Sequence, residues 1–232
     1  VSAQLPLARR ALAEFVATAF LVAAVVGSGI AAQTLSPNDV GLQLLENTIA
    51  TAGALFAIIV TFAPISGAHL NPVVTVVDCF FKRRPWADAT AYIPAQILGA
   101  ICGAVIANAM FARAALEFST KDRSGANIYF AEVVATLGLV LLIFLLVRTG
   151  RAGEHPLAVP AAVAGYITAA YWFTSSTSFA NPAVTIGRAF SNSFAGIAPS
   201  SVTPFVIAQC VGAVLAVGLL LVLAPSPEKT ND

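Results

Sequence analysis

The sequence predicts an all-α membrane protein of six transmembrane helices and two re-entrant half-helices, arranged as an inverted repeat. Three observations carry this expectation. Of the 232 residues, 58% are hydrophobic and only 10% charged, with a mean hydropathy of +0.86, whereas soluble domains carry about 25% charge. Long apolar runs fall at residues 11–32, 47–65, 88–112, 127–147, 156–173 and 202–224, each close to the ~17–25 residues that cross a bilayer. Two shorter runs open alike, as Asn71-Pro72-Val73-Val74-Thr75 and Asn181-Pro182-Ala183-Val184-Thr185.

In chain order, the first span carries Glu14 near its start and lacks a small-residue cleavage site, so it is expected to stay in the membrane rather than to be removed as a signal. The second span runs into an irregular stretch, Pro64 to Leu70, and then into the first half-helix. Asn accepts a backbone N–H as N-cap, and Pro at the first helical position misses no bond. From Pro72 to Phe81 that helix has ten residues, roughly 15 Å or half of a ~30 Å hydrocarbon core. The third span starts beside Pro85, and Pro94 inside it is expected to kink it. The fourth carries Glu132. The fifth leads through a second irregular stretch, Thr174 to Ala180, into a half-helix from Pro182 to about Asn192, and the sixth starts beside Pro204.

These elements repeat. Ala13-Glu14-Phe15-Val16-Ala17-Thr18 returns as Ala131-Glu132-Val133-Val134-Ala135-Thr136, and Ala95-Gln96-Ile97-Leu98-Gly99-Ala100 as Ala208-Gln209-Cys210-Val211-Gly212-Ala213. With the Asn-Pro pair, the offsets are 118, 113 and 110 residues in the same order. Three spans per copy is an odd number, so the copies sit in the membrane with opposite topology. We read one channel domain over residues 1–232, with repeat 1 at about 7–112 and repeat 2 at about 127–224.

Two half-helices entering from opposite sides meet near the midplane with their positive N-terminal ends facing. Irregular backbone at that depth is tolerated only where it is buried in protein or lines water, so the two loops point to a pore. With its side-chain oxygen used on its own helix, each Asn keeps NH2 donors for the oxygen of a passing neutral solute. The paired dipoles oppose cations and protons there.

Basic residues set the orientation. Arg9, Arg10, Lys82, Arg83, Arg84, Arg148, Arg151 and Lys229 fall on one side, and Arg113, Lys121, Arg123 and Arg188 on the other; the richer side is cytoplasmic, with both termini. A net charge of +1 offers no nucleic-acid surface. Cys79, Cys102 and Cys210 lie in apolar runs and read as buried free thiols. No metal site, cofactor site or enzyme motif is present in the pattern, so no catalytic residues are expected.

In its six spans, paired Asn-Pro half-helices, and a Glu in spans one and four followed by Thr, the chain resembles the aquaporin, or major intrinsic protein, family. The resemblance implies a right-handed bundle in the cell (inner) membrane, a homotetramer with one pore per subunit, and bilayer lipid, water and small neutral solutes as partners. It implies that Glu14 and Glu132 hold the re-entrant loops and that His69 lines the inner pore. At the outer filter it points to Thr51, Ser178 and Val184, with Ala169 or Trp172 as the fourth member depending on loop length. Here the sequence departs from the family. Val73 replaces the Ala of the first motif, and Val184 stands where water- and glycerol-conducting members carry Arg; Arg188, one turn further on, is placed to serve the outer mouth. A filter without that Arg implies a broad aquaglyceroporin-like channel for polyols such as glycerol, neutral metalloid hydroxides such as arsenite, and water. A water-selective aquaporin is the alternative, and a secondary transporter a more distant one, since no coupling-ion ligands flank Asn71 or Asn181.

Overall fold

The computed structural model describes residues 5–224, so Lys229 lies outside the described residues. In order the helices are α1 (Leu7–Leu35), α2 (Val40–Ser66), α3 (Pro72–Phe80), α4 (Trp86–Met110), α5 (Ala126–Arg148), α6 (Arg151–Glu154), α7 (Ala158–Phe173), α8 (Pro182–Arg188) and α9 (Pro199–Leu223). The fold is all-α and multi-span, with no strand among the described residues. Among the described residues five helices (α1, α2, α4, α5 and α9) are long and apolar enough to cross a membrane. The fifth expected span is the apolar helix α7, whose 16 residues reach only about 24 Å.

Backbone contact between small residues sets the packing. α1 lies against α4, and α5 against α9. A Cβ on Gly99 would run into the Phe15 carbonyl, one on Gly103 into the Ala19 carbonyl, and one on Gly212 into the Val133 carbonyl. Helices in lipid gain little from burying apolar surface against one another, so close backbone approach through small residues is what holds them. Gly103→Val is therefore expected to destabilise the protein by about 1–3 kcal/mol, read as a lower unfolding temperature in detergent; an unchanged transition would show that α1 and α4 can part without loss. Large apolar side chains such as Phe20, Ile49, Leu98, Val214 and Val222 are exposed along the outer helix faces, as a hydrocarbon solvent allows.

Several expected boundaries shift. α2 runs on through Pro64 to Ser66, so the first irregular stretch begins at Gly67. α9 starts at Pro199, with Pro204 inside it rather than at its head. α8 ends at Arg188, short of Asn192, and the Arg188 Nε donates to the carbonyl of Ala195 in the loop beyond at 2.5 Å. Cys79 is buried, but Cys102 is only half-buried and Cys210 is exposed, since a position in an apolar span can face outward as readily as inward.

Candidate functional site

α3 and α8 meet at their N-termini, and the capping geometry shows how. Asn71 Oδ1 accepts from Val73 N at 3.1 Å, and Asn181 Oδ1 from Ala183 N at 3.0 Å and Val184 N at 3.2 Å. The side-chain amides then cross over. Asn71 Nδ2 donates to the Ala180 carbonyl at 2.8 Å, and Asn181 Nδ2 to the Leu70 carbonyl at 2.7 Å. Each amide thus spends one hydrogen on the residue preceding the other Asn, leaving a second N–H per Asn. Both asparagines line a cavity of about 420 Å³.

The loops leading into the caps are strained in the same way. Gly67, Ala68 and Leu70 have φ of 100°, 48° and 53°; Thr177, Ser178 and Ala180 have 62°, 48° and 48°. Left-handed backbone costs a non-glycine residue about 1–2 kcal/mol, so it must be held. Glu14 accepts from Ser66 Oγ (2.6 Å), His69 N (3.0 Å), Leu70 N (2.7 Å) and Gln96 Nε2 (2.8 Å). Glu132 accepts from Phe179 N (2.9 Å), Ala180 N (2.9 Å) and Gln209 Nε2 (2.7 Å). Gln96 and Gln209 also donate to Thr75 Oγ1 and Thr185 Oγ1, which donate in turn to the Asn71 and Asn181 carbonyls. One cage of Glu, Gln and Thr therefore occurs twice. In the sequence the two glutamines marked only a repeat; a Gln within an apolar span was the signal of their role, and both are fully buried in the structure.

Among the expected pore residues, Thr51, His69, Asn71, Ser178, Asn181 and Val184 line the cavity. Ala169 and Trp172 do not: both are exposed on the protein's outside. The face α7 turns to the cavity carries Val159, Pro160, Val163 and Ile167, and at 3.6 residues per turn positions 169 and 172 lie about 200° and 140° around from Ile167. Counting along the sequence missed this helical phase. Next to that face the buried Tyr171 puts its phenol oxygen 3.3 Å from Thr51 Oγ1. Val73 is also not in the cavity wall. With Val77, Val140 and Phe144 it fills a separate apolar cluster, so its size does not narrow the lumen. Pro72 and Pro182 border an apolar groove on that other side, and Ala183 is fully buried in the core. Arg188, 2% exposed, is absent from the cavity wall and lies against the ring of Phe179.

The sequence did not single out the α3 end of the cavity, lined by Asp78, Arg83 and Arg84. Asp78 faces Arg83 Nε at 2.9 Å, Arg84 Nε at 3.4 Å and His69 Nε2 at 3.5 Å. Behind it Asp88 pairs with Arg84 Nη1 at 3.1 Å and with Arg10 Nη2 at 2.9 Å. Arg10, counted as a flanking charge, is in fact buried in this network.

Residues 2–178 match the major intrinsic protein family. The chain belongs to that family. Among its relatives is the aquaglyceroporin AqpS of Rhizobium meliloti (strain 1021), 47% identical over 214 residues that cover 92% of this chain and 89% of the relative. The aquaporin AqpM of Methanothermobacter thermautotrophicus is 34% identical over 90% of this chain and 95% of its own. The X-ray structure of the aquaglyceroporin from Plasmodium falciparum shares the fold, with a TM-score of 0.72 over 93% of this chain and 96% of that one at 22% identity. This major intrinsic protein is accordingly a multi-pass membrane protein and a passive channel for small solutes or water, and it is not an enzyme.

Proposed function

We propose that the protein is a broad channel for small uncharged solutes: glycerol-like polyols, neutral metalloid hydroxides such as arsenite, and water. One observation carries this reading: at the α8 end the cavity is walled by Thr51, Ile167, Ser178 and Val184, with no charged side chain among them. Val184 stands where the family's water- and glycerol-conducting members carry Arg. Removing a guanidinium widens the passage and removes five donors that would hold water in register. Thr51 and Ser178 give this part of the wall two hydroxyl-bearing side chains. Further in, the remaining N–H of Asn71 and of Asn181 serve as donors to a solute oxygen, and His69 lines the inner half.

In this reading α1, α2, α4, α5, α7 and α9 span the membrane as two inverted repeats, residues 7–112 and 127–224 of a single channel domain, with α3 and α8 as the re-entrant half-helices. Both termini are cytoplasmic, the membrane is the cell (inner) membrane, and four copies assemble with one pore each. Asp78, Arg83 and Arg84 then form the cytoplasmic mouth. No cofactor, metal or nucleic acid takes part.

Stopped-flow light scattering on proteoliposomes, comparing water, glycerol and a neutral arsenite hydroxide in one preparation, tests the reading. All three are expected to pass faster than through empty vesicles, with rates linear in solute gradient. Water flux alone would make the protein a water-selective aquaporin; saturable or ion-gradient-dependent flux would make it a transporter.

A further inference from the structure

The outer end of the cavity has no cation in its wall, yet two stand directly behind it. The guanidinium carbons of Arg188 and Arg123 lie 3.4 and 4.9 Å from the centroid of the Phe179 ring. Phe179 lines the cavity and neither arginine does. Both are buried, at 2% and 8% exposure. Arg123 donates to the carbonyls of Gly196, Ser176 and Phe194, and Arg188 to that of Ala195. Carbonyl oxygens orient a guanidinium without cancelling its charge. Among the described residues no carboxylate comes within ion-pair distance of either side chain. The acid that offsets them is Glu132, whose two oxygens are already committed to Phe179 N, Ala180 N and Gln209. Of the acids on the neighbouring loop, Asp122 is turned to Ser124 and Ser201, and Glu117 faces Arg113.

Two further observations point the same way. Arg188 also interacts electrostatically with Tyr171, whose phenol oxygen lies 3.3 Å from Thr51 Oγ1, and Thr51 is a residue of the lumen wall. In the loop beyond, burial pushes the Lys121 ammonium down to about 8, with repulsion from Arg123 and Arg188 adding to the effect. Positive charge held in a low-dielectric wall acts over a longer range than the same charge in water.

We propose that Arg123 and Arg188 set a cation barrier at the outer end of the cavity, acting through the Phe179 wall, while Val184 leaves the lumen there open to uncharged solutes larger than water. The role is one of charge discrimination and rests on the neutral-solute reading above. A residue that merely tied down the 192–196 loop would need donors but no charge, and the two roles separate by substitution.

Potassium leak under an imposed potential and glycerol flux are measured in the same proteoliposomes for the parent, Arg188→Gln and Arg188→Lys. Arg188→Gln is expected to raise the ratio of potassium to glycerol permeability about tenfold or more, the scale on which local charge alters ion concentration in a cleft, while Arg188→Lys keeps the parent ratio. A Gln variant with the parent ratio, or a Lys variant that leaks as the Gln variant does, would overturn the proposal. If neither variant inserts, the parent decides: its chloride leak is expected to exceed its potassium leak at matched driving force, and an equal or larger potassium leak overturns the barrier. Failure of the parent to pass glycerol would instead remove the neutral-solute reading, and the ion comparison would still stand on its own.

Discussion

Glu14→Leu is expected to lower the stability of the protein by about 3 kcal/mol or more, since each buried donor left without an acceptor costs about 1–3 kcal/mol. Four donors converge on this carboxylate: Ser66 Oγ, His69 N, Leu70 N and Gln96 Nε2. Two of them belong to the loop whose left-handed residues Ala68 and Leu70 need external support. For a chain of this length the loss corresponds to a fall of about 6–12 °C in unfolding temperature. Glu14→Gln is expected to fall between parent and Leu, because one oxygen remains an acceptor while the new NH2 faces groups that are themselves donors. Glu132→Leu, with three donors to strand, should be less severe than Glu14→Leu. Thermal unfolding of the purified variants in detergent checks the order. A Glu14→Leu protein that unfolds at the parent temperature and conducts normally would show that the loop holds itself.

Val184→Arg should reduce glycerol or arsenite flux at least several-fold while changing water permeability less. Val184 lines the cavity with Thr51, Ile167 and Ser178 around it, so a guanidinium there fills space that a larger solute requires. Its donors would find acceptors in Thr51 Oγ1 and in Ser178 Oγ, which is without a partner, and could also hold water. Arg123 and Arg188 already stand behind the adjoining wall, so the added charge is also expected to tighten cation exclusion further. Fluxes are compared at matched protein per vesicle. Equal loss of water and solute would indicate simple blockage. No loss of either would place the constriction elsewhere, with the Asp78, Arg83 and Arg84 mouth as the next place to look.

Much of this site is written in short stretches. Asn followed by Pro starts a helix because of capping and the missing N–H, wherever the chain goes next, and both starts are found at Asn71 and Asn181. A carboxylate, an amide and a hydroxyl recurring inside apolar spans have to find partners, and Glu14, Gln96 and Thr75 find one another, as do Glu132, Gln209 and Thr185. Long apolar runs became helices for the same local reason. Apolar character did not say which face of a helix meets protein and which meets lipid, which is why Cys210 and Trp172 were misplaced.

What the sequence by itself determined is therefore the set of helices apart from the four-residue α6, the two capped starts and the polar residues that must be satisfied near them; these follow from residue type and from spacings within one or two turns. Only the tertiary structure decided which α7 residues reach the lumen, that Val73 turns away from it, that Arg188 lies behind Phe179 rather than at an open mouth, and that Asp78 gathers Arg83, Arg84 and His69. The physical reason is that these contacts depend on helical phase and on loops closing between distant segments. A rotation of about 100° per residue or one bond from Arg188 to Ala195 redirects a side chain entirely, and neither leaves a mark in the local pattern.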